Sequence, residues 1–293
     1  MSEFVTAEIA DQPACWRRAG ELAAASAEAL PRPGERVAVV GCGTSWFVAM
    51  AYAALREAAG EGETDAFAAS ELPAGRRYDR LVAITRSGTT TEVLGLLAGR
   101  GATPAVVLTA VADAPVTALA DDVVVLDFAD ERSVVQTRYA TTALTLLRAH
   151  LGHDAEALAA EAETALGEPL DGLLDLEQIT FVGRGWTIGL AHEAALKTRE
   201  AAQFWAESYP AMDYRHGPIA IAQPGRAVWS FGPAPAGLEA DVLATGAAFL
   251  ASPGDPQAHL VVAQRLAVAL AERRDLDPDR PRHLTRSVVL EAG

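Results

Sequence analysis

The chain has 293 residues, half of them hydrophobic and 22% charged, which is the composition of a globular protein with one large or two ordinary domains. Its formal net charge of −15 argues against non-specific binding to nucleic acids and against adhesion to anionic membranes. The apolar runs are too short to span a bilayer, the N-terminal residues lack a signal-peptide pattern, and the two cysteines form neither a metal motif nor a disulfide framework. We therefore expect a cytoplasmic protein.

The first half of the chain alternates predicted strands with predicted helices. An Ala/Leu-rich helix is expected at about 6–29. Strands are predicted at Val37–Val40, Asp65–Ala69, Leu81–Ile84, Ala105–Leu108 and Val123–Leu126. Helices are predicted near 47–59, 91–99, 116–120, 137–150 and 154–166. Short apolar strands separated by helices predict a mostly parallel sheet with helices on both faces.

The strand at Leu81–Ile84 ends in a turn rich in hydroxyl groups, Thr85–Thr90, and a helical pattern follows it. The turn offers hydroxyl donors, and the first helical turn offers unpaired N–H groups and a partial positive charge. Gly88 lets the backbone approach a ligand closely. We expect this turn, which we call the hydroxyl turn, to bind a phosphate group.

The pattern restarts after a plausible boundary at Gly167–Gly172. The stretch Val39–Thr44 resembles Phe181–Trp186, because in both an apolar strand ends in Gly-x-Gly before a helix. The two halves therefore look like copies of one α/β unit. Neither turn has the third glycine of a dinucleotide-binding fingerprint, which disfavours nucleotide binding. The second turn is adequately explained as a tight connection, whereas the hydroxyl groups of Thr44 and Ser45 favour ligand contact at the first.

Five segments carry a resemblance to a known family. They are, in chain order, Cys42–Ser45, Thr85–Thr90, Glu131–Thr137, Glu193–Glu200 with Glu207 and Arg215–Pro218, and Asp277–Val288. In this order they resemble the sugar isomerase (SIS) family, and specifically its double-SIS group, over about residues 35–290. The resemblance implies an N-terminal helix (1–30), two flavodoxin-like SIS domains (31–168 and 169–276) and a C-terminal tail (277–293) that folds over the active site.

The resemblance also implies a function. We expect a homodimeric phosphosugar isomerase or aminosugar-phosphate deaminase that acts on a hexose 6-phosphate without a metal or an organic cofactor. The implied phosphate ligands are Ser45, Thr85, Ser87 and Thr90. The implied sugar contacts are Thr44 and Val134. The implied catalytic residues are Glu200 for proton transfer, His216 for ring opening, and Lys197 for orienting Glu200 or the sugar hydroxyls.

The charged residues between 193 and 200 form a pattern that does not depend on the resemblance. Glu193, Lys197 and Glu200 lie at i, i+4 and i+7, so they share one face of a helix. A carboxylate beside an ammonium on such a face could move a proton between adjacent sugar carbons. Without the resemblance, the pattern favours a solvated face with surface ion pairs over such a site.

The chain departs from the family pattern at three places. Arg286 stands where synthase-like members carry a lysine that can form an imine, and a guanidinium cannot take that role. We therefore count Arg286 among the catalytic-site residues and expect it to hold a carboxylate or a hydroxyl group instead. Arg86 and Gln136 replace a glutamine and a serine, so we expect a reshaped substrate pocket, with both residues in contact with the ligand. Only residues 252–256 separate the apolar run Ala247–Ala251 from the helical stretch that follows, so a final strand and its loop are missing. We therefore expect four strands in the second sheet. These departures keep two other functions open: a non-catalytic sugar-phosphate sensor, and a deglycase acting on fructosamine 6-phosphates.

Overall fold

The computed structural model describes residues 2–290, which divide into two compact units. The first unit comprises Ala14–Glu131, Arg138–Glu156 and the tail from Thr285. The second unit comprises the chain up to Pro13, Arg132–Thr137 and Ala157–Leu284. The predicted boundaries after residues 30, 168 and 276 remain predictions.

Nine strands and nine α-helices are present in the described part of the chain. The strands are β1 (Val37–Gly41), β2 (Thr64–Ala68), β3 (Arg80–Ile84), β4 (Ala105–Thr109), β5 (Asp122–Val125), β6 (Gln178–Gly183), β7 (Ala206–Pro210), β8 (Arg226–Phe231) and β9 (Ala248–Ala251). The helices are α1 (Glu3–Ala10), α2 (Gln12–Ala25), α3 (Thr44–Ala58), α4 (Thr91–Ala98), α5 (Arg138–His150), α6 (Ala155–Leu166), α7 (Thr187–Ala202), α8 (Leu238–Ala244) and α9 (Pro256–Arg273).

The first unit contains a five-stranded parallel sheet in the order β2-β1-β3-β4-β5. Every residue of β1, β3 and β4 is buried, as expected for central strands of a parallel sheet. Val40, Ala83 and Val107 form one cluster with Val93 and Leu97 of α4. The α/β architecture and the five strands predicted for this half are confirmed.

Two predicted helices differ from the structure. The single helix expected at 6–29 is two helices, because α1 ends at Ala10 and α2 begins at Gln12. Pro13 explains the break, since proline lacks an N–H group and is tolerated only in the first turn of a helix. The segment expected to be helical at 116–120 is a short 3₁₀ turn, Pro115–Leu119, which also begins with a proline.

The second unit contains a four-stranded parallel sheet in the order β7-β6-β8-β9. The predicted loss of a strand is therefore confirmed, and β9 forms an open edge of the sheet. The residues of β9 are partly exposed and carry no charge, whereas the other edge strands contain Asp65, Asp122 or Glu207. The order β2-β1-β3-β4 of the first sheet matches β7-β6-β8-β9, which supports the internal repeat.

The strand order indicates where a ligand can bind. In the first sheet the chain moves from β1 to β2 on one side and to β3 on the other. In open α/β sheets, ligands bind beyond the carboxyl ends of the strands at the point where the order reverses. This rule selects the turn after β1 and the hydroxyl turn after β3.

Acid is expected to destabilise the second unit through His259. Its ring accepts a hydrogen bond from Trp229 Nε1 at 3.3 Å, and its Nε2 lies 3.2 Å from the Glu168 carboxylate. Burial lowers the pKa of His259 below its usual 6.5, and Glu168 opposes this shift only in part. The unfolded chain therefore binds the proton more readily, so stability is lost as the pH falls below about 6.5.

The free energy of unfolding of the wild type and His259→Gln, measured between about pH 7.5 and about pH 5, checks this expectation. The wild type should lose more stability than the variant on acidification. A difference between the two proteins that stays constant over this range would contradict it.

Candidate active site

The hydroxyl turn folds so that its side-chain oxygens and its N–H groups lie together. Gly88 N donates to Thr85 Oγ1 at 3.3 Å, and Thr89 N donates to Ser87 Oγ at the same distance. Thr89 Oγ1 also bonds Ser87 Oγ at 3.0 Å. Thr85 and Ser87 are buried and Thr90 is half-buried, and α4 begins directly afterwards. The hydroxyl turn therefore places several hydrogen-bond donors at the N-terminus of α4.

Gly88 is required at the centre of this turn for two reasons. Its φ of +65° lies in the left-handed region, which side chains disfavour. A Cβ at this position would also lie 2.4 Å from Ala114 Cβ and 2.9 Å from Val116 Cγ1. The turn is thus packed tightly against the loop that follows β4, which fixes its shape before any ligand arrives.

The turn after β1 supplies the neighbouring hydroxyl groups. α3 begins at Thr44, and Thr44 and Ser45 are both buried. Because β1 and β3 are adjacent parallel strands, the two turns lie at the same edge of the sheet. The first unit therefore collects five of the predicted ligand residues at the point of strand-order reversal: Thr44, Ser45, Thr85, Ser87 and Thr90.

Arg86 is buried and its side chain is turned to an acidic partner. Nη1 lies 3.3 Å from Oε2 of Glu131, whose side chain is fully buried, and Nη2 donates to the carbonyl oxygen of Arg286 at 3.1 Å. Glu131 also accepts a hydrogen bond from Arg138 N. The positive charge that Arg86 brings to the turn is therefore balanced by Glu131.

Arg286 is held in an equivalent way. Its guanidinium donates to the Glu131 carbonyl oxygen and to the carboxylate of Asp130. The Oγ atom of the next residue, Ser287, lies 2.9 Å from Thr89 Oγ1 and 3.4 Å from Thr90 Oγ1. Thr89, Glu131 and Ser287 lie within the sequence motifs, but the motifs alone assign them no role. Two of them have a feature that could have indicated a role: Thr89 belongs to the run of hydroxyl residues, and Ser287 is next to Arg286.

The second unit carries the predicted acid–base residues on α7. Lys197 Nζ lies 2.5 Å from Glu200 Oε2 and 3.6 Å from Glu193 Oε1. The side chains of Lys197 and Glu193 are 1% and 3% exposed, so these residues do not form a solvated face. Glu200 is 20% exposed and is the member of the trio most open to solvent.

Glu200 lines a cavity of about 300 Å³ within the second unit. The segment Asp275–Arg282 supplies most of the other lining residues, including Arg280 and Arg282. A carboxylate beside a buried ammonium and open to a cavity can exchange a proton with a molecule that enters the cavity.

The remaining predicted residues of the second unit lie outside this trio. His216 is exposed at the end of a short 3₁₀ turn, Asp213–His216, and is followed by Gly217 with φ +138°. Val134 N donates to the Asp279 carbonyl oxygen at 3.2 Å. Gln136 is half-buried, and within the described residues its Oε1 has no hydrogen-bond partner.

Neither a metal site nor a membrane span is evident in the described part of the chain. No group of three or more His, Cys, Asp and Glu side chains among residues 2–290 is placed to hold a metal ion. No helix in this range has the length and hydropathy needed to cross a bilayer.

Known proteins resemble the chain in sequence and in structure, although no protein-family model matches it. A glutamine–fructose-6-phosphate aminotransferase (isomerizing) from Gloeobacter violaceus is 27% identical over 88% of this chain and 52% of its own length. Glucosamine-6-phosphate deaminase from Thermotoga maritima superposes with a TM-score of 0.81 at 24% identity, covering 98% of this chain and 99% of that one. Tagatose-6-phosphate ketose/aldose isomerase from Escherichia coli gives 0.79 at 19% identity, covering 94% and 95%.

The chain spans about half the length of the curated relatives it matches. The two structures, at identities below 25%, establish the shared fold along almost the whole chain. The sequence homologues match through their isomerase domains, and the structural neighbours are phosphosugar isomerases and a deaminase. The chain therefore shares its fold with these solved structures, and its sequence is similar to part of the glutamine–fructose-6-phosphate aminotransferases.

Proposed function

We propose that the chain is a phosphosugar isomerase or an aminosugar-phosphate deaminase that acts on a hexose 6-phosphate-type substrate. The observation that carries the proposal is the buried ammonium of Lys197 at 2.5 Å from the cavity-lining carboxylate of Glu200. The ammonium of Lys197 holds this carboxylate in a fixed position beside the cavity, where it can accept a proton from a substrate. The activities named for the structural relatives support the substrate class.

The phosphate group would bind at the two turns of the first unit. The hydroxyl groups of Ser45, Thr85, Ser87 and Thr90 donate to its oxygens, together with N–H groups at the start of α4. Thr44 and Val134 contact the sugar. Anchoring the phosphate fixes the sugar chain, which turns proton transfer into an intramolecular step.

The chemical steps follow from the acid–base trio. His216 opens the cyclic sugar, and Glu200 removes a proton from the hydroxyl-bearing carbon next to the carbonyl group, which gives an enediol. The same carboxylate returns the proton to the former carbonyl carbon, while a hydroxyl proton moves between the two oxygens, so that the carbonyl group changes places with the hydroxyl group. Lys197 orients Glu200, and Glu193 Oε1 lies 3.6 Å from the same ammonium group. We further propose a homodimer in which His216 serves the site of the partner subunit. Light scattering that finds only monomers would contradict this role of His216.

One observation favours a second candidate function, a sugar-phosphate sensor without catalysis. Arg286 takes the position of the family's imine-forming lysine, and its guanidinium bonds Asp130 and the backbone of Glu131. Any reaction that requires an imine at this position is therefore closed to the chain. The isomerase chemistry above does not require one.

Substrate profiling tests these proposals. The protein is incubated with glucosamine 6-phosphate, fructose 6-phosphate and fructosamine 6-phosphates, and the release of isomer, ammonia and amino acid is followed. We expect turnover of at least one compound. Ammonia would identify a deaminase and a free amino acid would identify a deglycase. Tight binding of all three classes without any product would contradict the enzyme proposal and favour the sensor.

A further inference from the structure

The C-terminal segment Arg286–Leu290 lies against the hydroxyl turn within the first unit. Ser287 Oγ is within hydrogen-bond distance of Thr89 Oγ1 (2.9 Å) and Thr90 Oγ1 (3.4 Å). The first residue of α4 holds the segment from both sides, because Thr91 N donates to the Val288 carbonyl oxygen at 3.1 Å and Leu290 N donates to Thr91 Oγ1 at 2.8 Å. The tail thus adds its own hydroxyl group to those of the turn.

The hydrogen bonds of this hydroxyl cluster leave donors for a ligand. A hydroxyl group carries a single proton. Thr89 Oγ1 lies close to both Ser87 Oγ and Ser287 Oγ, so it can donate to only one of them and accepts from the other. Thr90 occupies the N-cap position of α4, yet its side chain makes no capping hydrogen bond with the described residues. An anion with several acceptor oxygens would satisfy these donors together.

Two arginines fix the place of Ser287. Arg86 Nη2 donates to the carbonyl oxygen of Arg286, which belongs to the peptide bond that joins Arg286 to Ser287. The guanidinium of Arg286 is held by Asp130 and by the Glu131 carbonyl oxygen. Since Arg86 is itself paired with buried Glu131, the position of Ser287 is set by an ion pair in the interior of the unit.

We propose that Ser287 is a further ligand of the phosphate group, and that Arg286 is a positioning residue that sets Ser287. The inference rests on the proposed function, because it takes the hydroxyl turn as the phosphate site. It has a consequence for the tail: occupation of the site by phosphate stabilises the contact between Ser287 and the turn. The affinity for phosphate and the order of residues 285–290 are therefore linked.

The test uses the full-length protein and inorganic phosphate as the probe, with calorimetric titration of the wild type, Ser287→Ala, Thr285→Ala and Ser87→Ala. We expect Ser287→Ala to bind phosphate about tenfold more weakly, the effect of losing one hydrogen bond to a charged group. Thr285→Ala is the matched control, because the Thr285 side chain belongs to the same segment and, among residues 2–290, its Oγ1 donates to the carbonyl oxygen of Ser287 and not to a hydroxyl group of the turn. Its binding should stay within about twofold of the wild type.

Hydrogen–deuterium exchange provides the second readout. Phosphate should slow amide exchange at residues 285–290 in the wild type and should fail to do so in Ser287→Ala. Wild-type affinity and wild-type protection in Ser287→Ala, together with weaker binding in Ser87→Ala, would overturn the inference while sparing the phosphate site. An equal loss of phosphate affinity in Thr285→Ala and Ser287→Ala would contradict a direct contact between the Ser287 side chain and phosphate. If neither the wild type nor Ser87→Ala binds phosphate, the proposed phosphate site itself fails, and the assignment of Ser287 fails with it.

Discussion

Replacing Glu200 with glutamine is expected to lower the turnover number by a factor of about 10²–10⁴ and to leave substrate binding nearly unchanged. The amide keeps the size and the hydrogen-bonding capacity of the side chain, but it cannot accept the substrate proton. The proposed phosphate contacts lie on other residues, so the KM for the active substrate should change little. Steady-state kinetics on the substrate found by profiling measures both quantities.

Glu156→Gln is the matched control for this experiment. Glu156 is an exposed carboxylate paired with Arg17 on the surface of the first unit, so its neutralisation should leave kinetics unchanged. A Glu200→Gln protein with wild-type turnover would remove Glu200 from the proton-transfer step. A large rise in KM with unchanged turnover would make Glu200 a substrate-binding residue instead.

Replacing Glu131 with glutamine is expected to destabilise the protein by about 3–5 kcal/mol, the typical effect of leaving one charge of a buried ion pair without its partner. The Arg86 and Glu131 side chains are 3% and 0% exposed, so water cannot take over the lost interaction. The free energy of unfolding obtained from urea denaturation measures the loss.

The double variant Arg86→Gln/Glu131→Gln separates the effect of the charge from that of shape. With both charges removed, most of the lost stability should return, because no buried charge remains unpaired. The exposed pair Arg17–Glu156 provides the contrast, since Glu156→Gln should change stability by less than about 1 kcal/mol. Equal losses for the Glu131 and Glu156 variants would show that the buried pair contributes no more than a surface pair.

The sheets could be predicted because their strands have a strong local signal. β1, β3 and β4 are short runs of Val, Ile, Leu and Ala that are buried on both faces, and a hydroxyl- or glycine-rich turn follows each of the first two. The shortened second sheet was also visible, since too few residues separate Ala251 from the start of α9. The break between α1 and α2 has a weaker signal, because the Ala/Leu-rich composition of residues 6–29 favours one continuous helix and Pro13 alone points to the interruption.

The site was predictable only where its residues are neighbours in the sequence. The hydroxyl turn and the α7 trio are local patterns, and helical spacing alone brings Glu193 and Glu200 to Lys197. The partner of Arg86 was not predictable, since Glu131 lies 45 positions away and is brought in by the fold. The same holds for the contact between Ser287 and Thr89, which joins two distant segments of the chain.

The net negative charge of the protein opposes association through the open edge of the second sheet. β9 presents unpaired backbone groups without the charges or prolines that usually prevent strands of different molecules from joining. At neutral pH the formal charge of −15 keeps copies of the chain apart. Near the isoelectric point of about 4.8 this repulsion vanishes, and we expect copies of the chain to associate by strand addition at β9.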